Sequence, residues 1–291
     1  MFSKYFKDSV LKGHSRADIV LELKNYHNDL SKLDNITLSR WLNNKTTPSL
    51  DKQVLIALAT NTQDELLHNY KSHKFTATRA FNKSYNNYAS RMDVPHHQLL
   101  YQNSLERIHW EIFTWEDYLS LSNRIRNKIS TLRKLNSLME IDPLKPCELN
   151  VFYVEGSSGD VVSFAGLGDE LPMFSSEIGV PNEIRDDCSY SVFSFFASSK
   201  LHFIIAGLKL NFLFDHHQKT YHCIPARGHE AALLLDSMGF RLIAEYEEHQ
   251  KVGNYSFYLA EVHKLLGHPM CFQAMLRTKR LYLRLKKNLK K

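Results

Sequence analysis

The sequence predicts an α + α/β protein: an all-α N-terminal domain followed by a mixed α/β domain. Three observations predict it. The chain has 291 residues, about twice the length of a typical domain. Up to about residue 70, apolar residues recur at three- and four-residue spacing between Ser, Asp and Gly stops, the period of helices. From about residue 99, strand-like runs rich in Val, Phe and Tyr alternate with helical patterns, which calls for strands and helices packed as layers.

In chain order, FSKYFKDSVLK (2–12) reads as a short helix stopped at Gly13. Ser15 caps a second helix in a box-like relation with Asp18, and Ile19, Val20, Leu23 and Tyr26 fall at helical spacing. NDLSKLDN is a polar turn. Asp34 or Asn35 caps a third helix, ITLSRWLNN, and Pro48 closes the turn after it. Two more helices are expected, Leu50 to Leu58 and Asp64 to Tyr70. Residues 71–98, rich in Asn, Ser, Lys and His, are the expected linker. Phe81, Tyr85 and Tyr88 give them a partly helical pattern.

In the second half, Trp115 to Leu132 reads as a helix. Strands are expected at Leu149–Val154, Val161–Leu167 and Tyr190–Phe196, the first two joined by a hairpin at Gly156 and Gly159. Leu201 to Phe214 is apolar enough for a buried helix. A strand at Tyr221–Pro225, a helix from His229 to Met238, and strands at Phe240–Glu245 and Tyr255–Glu261 complete the domain. The expected division is 1–70, linker 71–98, 99–268, and a basic helix or tail over 269–291.

Composition bounds the function classes. Hydrophobic residues make up 43% and charged residues 23%, ordinary for a globular chain. No apolar run approaches the ~18 residues a membrane span needs, and Met1 to Gly13 has no apolar signal centre, so a cytoplasmic protein without a membrane partner is expected. Cys147, Cys188, Cys223 and Cys271 share no CxxC spacing, which disfavours a disulfide framework and a zinc site. The net charge is +6, compatible with a polyanionic partner. Residues 277–291 carry eight basic residues and no acidic one, either a solvated end or a phosphate-contacting one.

ITLSRWLNNKTTPS has the two faces that a DNA-reading helix needs. Leu38 and Trp41 face inward. Asn35, Thr37, Ser39, Arg40, Asn43 and Asn44 are left wholly or partly outward. Arg40 suits guanine and Asn35 adenine, both in two-pronged contacts, while Asn43, Lys45 and Thr46 suit phosphates. The alternative is a polar solvated face.

Two resemblances sharpen these readings. The run TLSRWLNNKTTPSLDKQVLIALA resembles the second half of the phage-repressor-type (Cro/cI, XRE) helix-turn-helix family, through Ser39-Arg40-Trp41, Asn43-Asn44-Lys45, Thr47-Pro48-Ser49 and Val54-Leu55-Ile56-Ala57. It covers roughly residues 14–62, where the preceding helix and turn are longer than that family's. It implies double-stranded DNA as partner and a homodimer. The order of strands and helices beyond residue 110 resembles the GNAT-type N-acyltransferase fold, with Met238-Gly239-Phe240 at that family's helix end. That resemblance implies a pyrophosphate-cradling loop before the helix at residue 201. Here the loop is Phe196-Ala197-Ser198-Ser199-Lys200-Leu201, without glycine, and Ser198, Ser199 and Lys200 are left to bind an anion. It also implies a tyrosine general acid where Leu235 stands. The expectation is a non-catalytic GNAT-like domain with no cofactor, no catalytic residue and no metal, serving dimerisation or sensing a small-molecule or acyl ligand. The alternative is an active N-acyltransferase carrying a DNA-binding domain. The aromatic stretch Phe193 to Phe214 is either core or the wall of a hydrophobic pocket. His216, His217 and His222 read as surface loop histidines. Glu155 and Asp160 form a pair of carboxylates by position alone.

Overall fold

The computed structural model describes residues 1–93, 107–126, 148–156, 159–169, 178–216, 218–249 and 253–289. In the N-terminal part, α1 (Phe2–Tyr5) runs into a π turn (Phe6–Val10). Gly13, at φ +82°, reverses the chain in a conformation that favours glycine. Ser15 begins α2 (Arg16–Tyr26): its Oγ accepts the Asp18 N–H and donates to the Asp18 carboxylate at 2.6 Å. A 3₁₀ turn at Asn28–Leu30 leads to Asp34, whose Oδ1 accepts the Thr37 N–H at 2.7 Å. Of the two expected caps, Asp34 is therefore the one used, and α3 spans Asn35–Leu42. Then come α4 (Leu50–Ala59), α5 (Gln63–Tyr70) and α6 (Arg79–Met92). Trp41 anchors α3 from behind, its ring edge-on to Phe2 and Phe6 at 5.9 and 6.2 Å.

The second part is built on a seven-stranded sheet, ordered β1-β2-β3-β4-β5-β7-β6. The strands are β1 (Ile108–Thr114), β2 (Glu148–Glu155), β3 (Val161–Gly168), β4 (Cys188–Ser191), β5 (Tyr221–Arg227), β6 (Arg241–His249) and β7 (Gly253–Glu261). All neighbours are antiparallel except β4 and β5. That parallel pair needs a crossover, supplied by α8 (Ser199–Asp215). One face of the sheet packs on α7 (Trp115–Arg126) through Trp115, Tyr118 and Leu121. The other carries α8, α9 (His229–Ser237) and α11 (Pro269–Leu289). Between β7 and α11 lies the short α10 (Val262–Gly267).

The structure departs from the sequence reading at two strands and leaves one expected helix met in part. β1 was not foreseen, although Ile108 and Trp110 alternate inward in the manner of a half-buried strand. The fourth strand ends at Ser191, not Phe196: the Val192 N–H still reaches the Gly166 carbonyl at 3.1 Å, then the chain bends out of the ladder and Phe195 bridges back to Phe164. The expected helix to Leu132 is seen as far as Arg126, and its remainder lies outside the described residues, as do 94–98 of the expected linker and Cys147.

The two parts share one apolar core, which runs from Phe6, Trp41 and Leu66 to Leu208, Leu266 and Phe272. Gly267 closes the join: a Cβ there would lie 2.4 Å from the Asp51 Cα at the start of α4. As far as Leu289 the basic C-terminal segment is one helix with a packed face, and Arg277, Arg280, Arg284 and Lys287 stay exposed on the other. Helix α11 buries Phe272, Met275 and Tyr282, and Gly207 of α8 lets the two helices approach until a Cβ would meet the Ala274 carbonyl at 2.8 Å.

Candidate functional site

Two arrangements among the described residues bear on the sequence-expected sites. The first is the outer face of α3. Leu38, Trp41 and Leu42 are buried. Asn35, Arg40, Asn43, Asn44, Lys45 and Thr46 are exposed, and Thr37 and Ser39 half-buried. Ile36, Ser39, Arg40 and Asn43 fall at i, i+3, i+4 and i+7, so they form one stripe. Ile36 is 64% exposed in that stripe.

The second is a cleft that the parallel strands create by parting. β4 and β5 pair only from Cys188–Tyr221 to Tyr190–Cys223. Beyond that, β5 stays with β7 as far as Arg227, while the chain after Ser191 bends toward Phe164. The gap is a cavity of about 200 Å³ with mostly apolar walls, among them Phe196, Phe203, Leu234 and Leu235. Helix α6 closes one side with Phe81, Tyr85 and Tyr88, which recur at i, i+4 and i+7. The aromatic stretch is thus divided: Phe196 and Phe203 line the cavity, Phe212 and Phe214 are core on the same side of the sheet, and Phe193 packs on the α7 side.

Strand alternation sets the polar groups of this cleft. Cys188 and Tyr190 point to α7, so Ser189 and Ser191 point to the α8 face, as does His222 of β5. His222, read from the sequence as a surface loop residue, is 2% exposed. The Lys209 Nζ of α8 donates to Ser191 Oγ at 2.6 Å. Ser191 Oγ lies 2.9 Å from His222 Nε2, and Ser189 Oγ lies 2.9 Å from Nδ1. A neutral imidazole with its proton on Nδ1 makes every link consistent: Lys209 to Ser191, Ser191 to Nε2, Nδ1–H to Ser189, and Ser189 to the Tyr221 carbonyl at 3.3 Å. Burial, with the Lys209 charge beside it, pushes the His222 pKa down to about 3. Burial pulls Lys209 itself down to about 8. No carboxylate lies within ion-pair distance of Lys209 among the described residues. His202, also on the cavity wall, has an Nδ1 with no hydrogen-bond partner, and burial lowers its pKa to about 4.

The sequence-expected anion residues sit at the N-terminus of α8, where free backbone N–H groups attract negative charge. Ser198 spends its Oγ on capping Leu201. Ser199 is held by Asp93, whose carboxylate accepts its N–H at 2.8 Å and its O–H at 2.5 Å. Lys200 is exposed. A carboxylate of this chain therefore already occupies the Ser199 N–H and hydroxyl at this helix end. Leu235 lines the cavity and brings no proton donor. Glu155 meets His109 at 3.3 Å at the far end of β2.

Comparison with known proteins adds little. No family model matches the chain, and no curated protein does. Among solved structures, a CoA-dependent acyl-homoserine lactone synthase, MesI, is 18% identical with a TM-score of 0.31, over 60% of this chain and 95% of that one. A protein from Acinetobacter baylyi ADP1 whose acetyltransferase activity is proposed is 9% identical with a TM-score of 0.28, over 53% and 93%. Neither likeness bears on what this chain does.

Sequence reading missed Ser189, Ser191 and Lys209. Lys209 left a signal: it is the one Lys, Arg, Asp or Glu in the apolar run Leu201–Phe214. The serines left none, because their meaning depends on which face of β4 meets α8.

Proposed function

We propose that the chain is a DNA-binding regulator whose cleft senses a small apolar ligand with an anionic group. The observation that carries the reading is the stripe on α3, polar and basic outside and fixed by Trp41 behind. Arg40 suits the O6 and N7 edge of guanine, and exposed Ile36 suits a thymine methyl. Asn35, Thr37, Ser39, Asn43 and Asn44 suit base edges and sugars, and Lys45 and Thr46 suit phosphates. A palindromic site read by two copies fits the modest surface of one helix. In the cleft, Lys209 faces an apolar cavity with no carboxylate in ion-pair reach among the described residues, and α6 runs from the helical part along that cavity wall.

The test is selection from random duplexes with the purified chain, followed by titration at several salt concentrations. Arg40→Ala is expected to erase preference at a guanine position, a loss of about 1–3 kcal/mol. Lys45→Ala is expected to weaken all sequences alike and to lower the salt slope by about one. Binding that is absent, or indifferent to both changes, sinks the reading.

A second reading, N-acyl transfer by a GNAT-like domain, has the parting of β4 and β5 and the Lys209–Ser191–His222 chain in its favour. Asp93 at the α8 N-terminus opposes it. Calorimetry with acetyl-CoA decides: no heat with the native chain or with Asp93→Asn removes it.

A further inference from the structure

Outside the cleft and the α3 face, four donors converge where the helical part meets the sheet. His27 and Asp29 lie in the turn between α2 and α3, Glu261 ends β7, and His263 opens α10. One ligand atom each from His27, Asp29 and His263 lies within 4.8 Å of the others. The His263 Nε2 faces two carboxylates at once, Asp29 Oδ2 at 3.1 Å and Glu261 Oε2 at 3.6 Å. A neutral ring has one proton there and can satisfy one of them. The His27 ring stands edge-on to His263 with centroids 4.7 Å apart. Its Nδ1 accepts the Asp29 N–H at 3.1 Å, which fixes the ring and leaves Nε2 as the nitrogen for a metal to take. Lys264 takes the other Glu261 oxygen at 2.6 Å, so the cluster retains a net negative charge.

We propose that His27, Asp29 and His263, with Glu261 as fourth donor, form a zinc site that clips the α2–α3 turn to the sheet domain. Two imidazoles and carboxylates suit zinc among divalent ions. At metal–ligand distances of about 2.0–2.1 Å, tetrahedral zinc sets its donors about 3.3 Å apart, and the two edges at His263 Nε2, 3.1 and 3.6 Å, lie on either side of that value. Only the exposed and half-buried sides, Asp29 and His27, have to close in, because His263 is 3% exposed and fixed by the core. A clip here acts seven residues before Asp34, the cap of α3, and so holds the proposed DNA-facing helix against the cleft domain.

The test uses the untagged full chain, stripped of metal, with Co²⁺ as the spectroscopic probe and Zn²⁺ as competitor. One equivalent of Co²⁺ is expected to give the intense visible bands of a four-coordinate ion, and Zn²⁺ to bleach them. His27→Gln and Asp29→Asn keep side chains of similar size at a half-buried and an exposed position, and each is expected to abolish the bands at one equivalent while the far-ultraviolet dichroism stays native. His229→Gln, in α9, is expected to leave them intact. Bands that survive both substitutions at the site, or no tetrahedral spectrum from the native chain, overturn the proposal. DNA binding is not read in this experiment, so the metal site and the regulatory reading fail separately.

Discussion

Lys209 is the side chain whose environment least matches its chemistry. An ammonium among Phe203, Leu213 and Leu234, held by one serine hydroxyl and paired with no carboxylate among the described residues, costs folding energy. Its pKa of about 8 in the folded chain, against an ordinary 10.5, states that cost. Between pH 8 and 10.5 the unfolded chain binds the proton that the folded chain releases, so this group's contribution to stability rises with pH across that window. The thiols of Cys188, Cys223 and Cys271, which burial pushes up, act in the opposite sense. They act equally in a variant, so a difference between two proteins isolates the lysine. Lys209→Met is expected to be more stable than the native chain at pH 7, and the gap to shrink by about 2 kcal/mol by pH 9.5. The same variant is expected to lose binding of any ligand that enters by its anionic end. Urea midpoints of the two proteins at the two pH values check the first part, and a gap independent of pH would contradict it. The contrast with α3 shows what single residues disclose. Leu38, Trp41 and Arg40 took their places because period alone sorts the faces of a helix. Ser191 and His222 become legible only once β4 and β5 are known to lie side by side.

Elements were legible where their period was strong and their neighbours did not matter. The cap at Ser15, the start of α3 at Asp34 or Asn35 and the buried helix over Leu201–Phe214 all follow from local pattern. β1 and α10 did not, because each owes its state to a partner: β1 pairs along its whole length with β2, and α10 is held between β7 and α4. Helix α10 also shows how the two parts become one body. Its last residue, Gly267, approaches the α4 backbone so closely that a Cβ would sit 2.4 Å from Asp51 Cα and 2.6 Å from Asp51 N. Backbone atoms at that distance cannot rotate away, so a methyl group must push α10 and α4 apart. Gly267→Ala is expected to cost about 2–3 kcal/mol, in the range of core overpacking. Gly13→Ala is the control: it faces open space, and only the φ of +82° penalises it, at about 1 kcal/mol. Thermal or urea unfolding of both variants checks the ranking. A Gly267→Ala protein as stable as the control would mean that the two parts are not in register as described.

At the scale of the molecule, the buried histidines govern how the fold responds to acid. His222, His202 and His268 are each pushed down by burial, to about 3, 4 and 4, and burial lowers His263 as well, while an unfolded histidine titrates near 6.5. Below pH 6.5 the unfolded chain therefore takes up protons that the folded chain refuses, and stability falls with pH until the folded values are reached. The carboxylates held low in the fold act later. Asp34 is lowered by the Thr37 N–H and hydroxyl; Asp215, which burial alone would raise, is lowered by Lys286 and Tyr282. Both contribute only as pH approaches the ordinary carboxylate range near 4, so the interval from 6.5 to 5 belongs to the histidines. Across it His222, His202 and His268 are expected to cost on the order of 3–5 kcal/mol, a large part of a total stability of about 5–15 kcal/mol. Two of them, His202 and His222, line the cleft, so a ligand that fills it adds to native stability and shifts the acid midpoint downward. Urea titrations at pH 7 and pH 5, with His202→Gln expected to recover about a third of the loss, measure the effect. A midpoint that holds steady between those two values would show that these rings are protonated in the fold, and the neutral Lys209–Ser191–His222 chain would go with them.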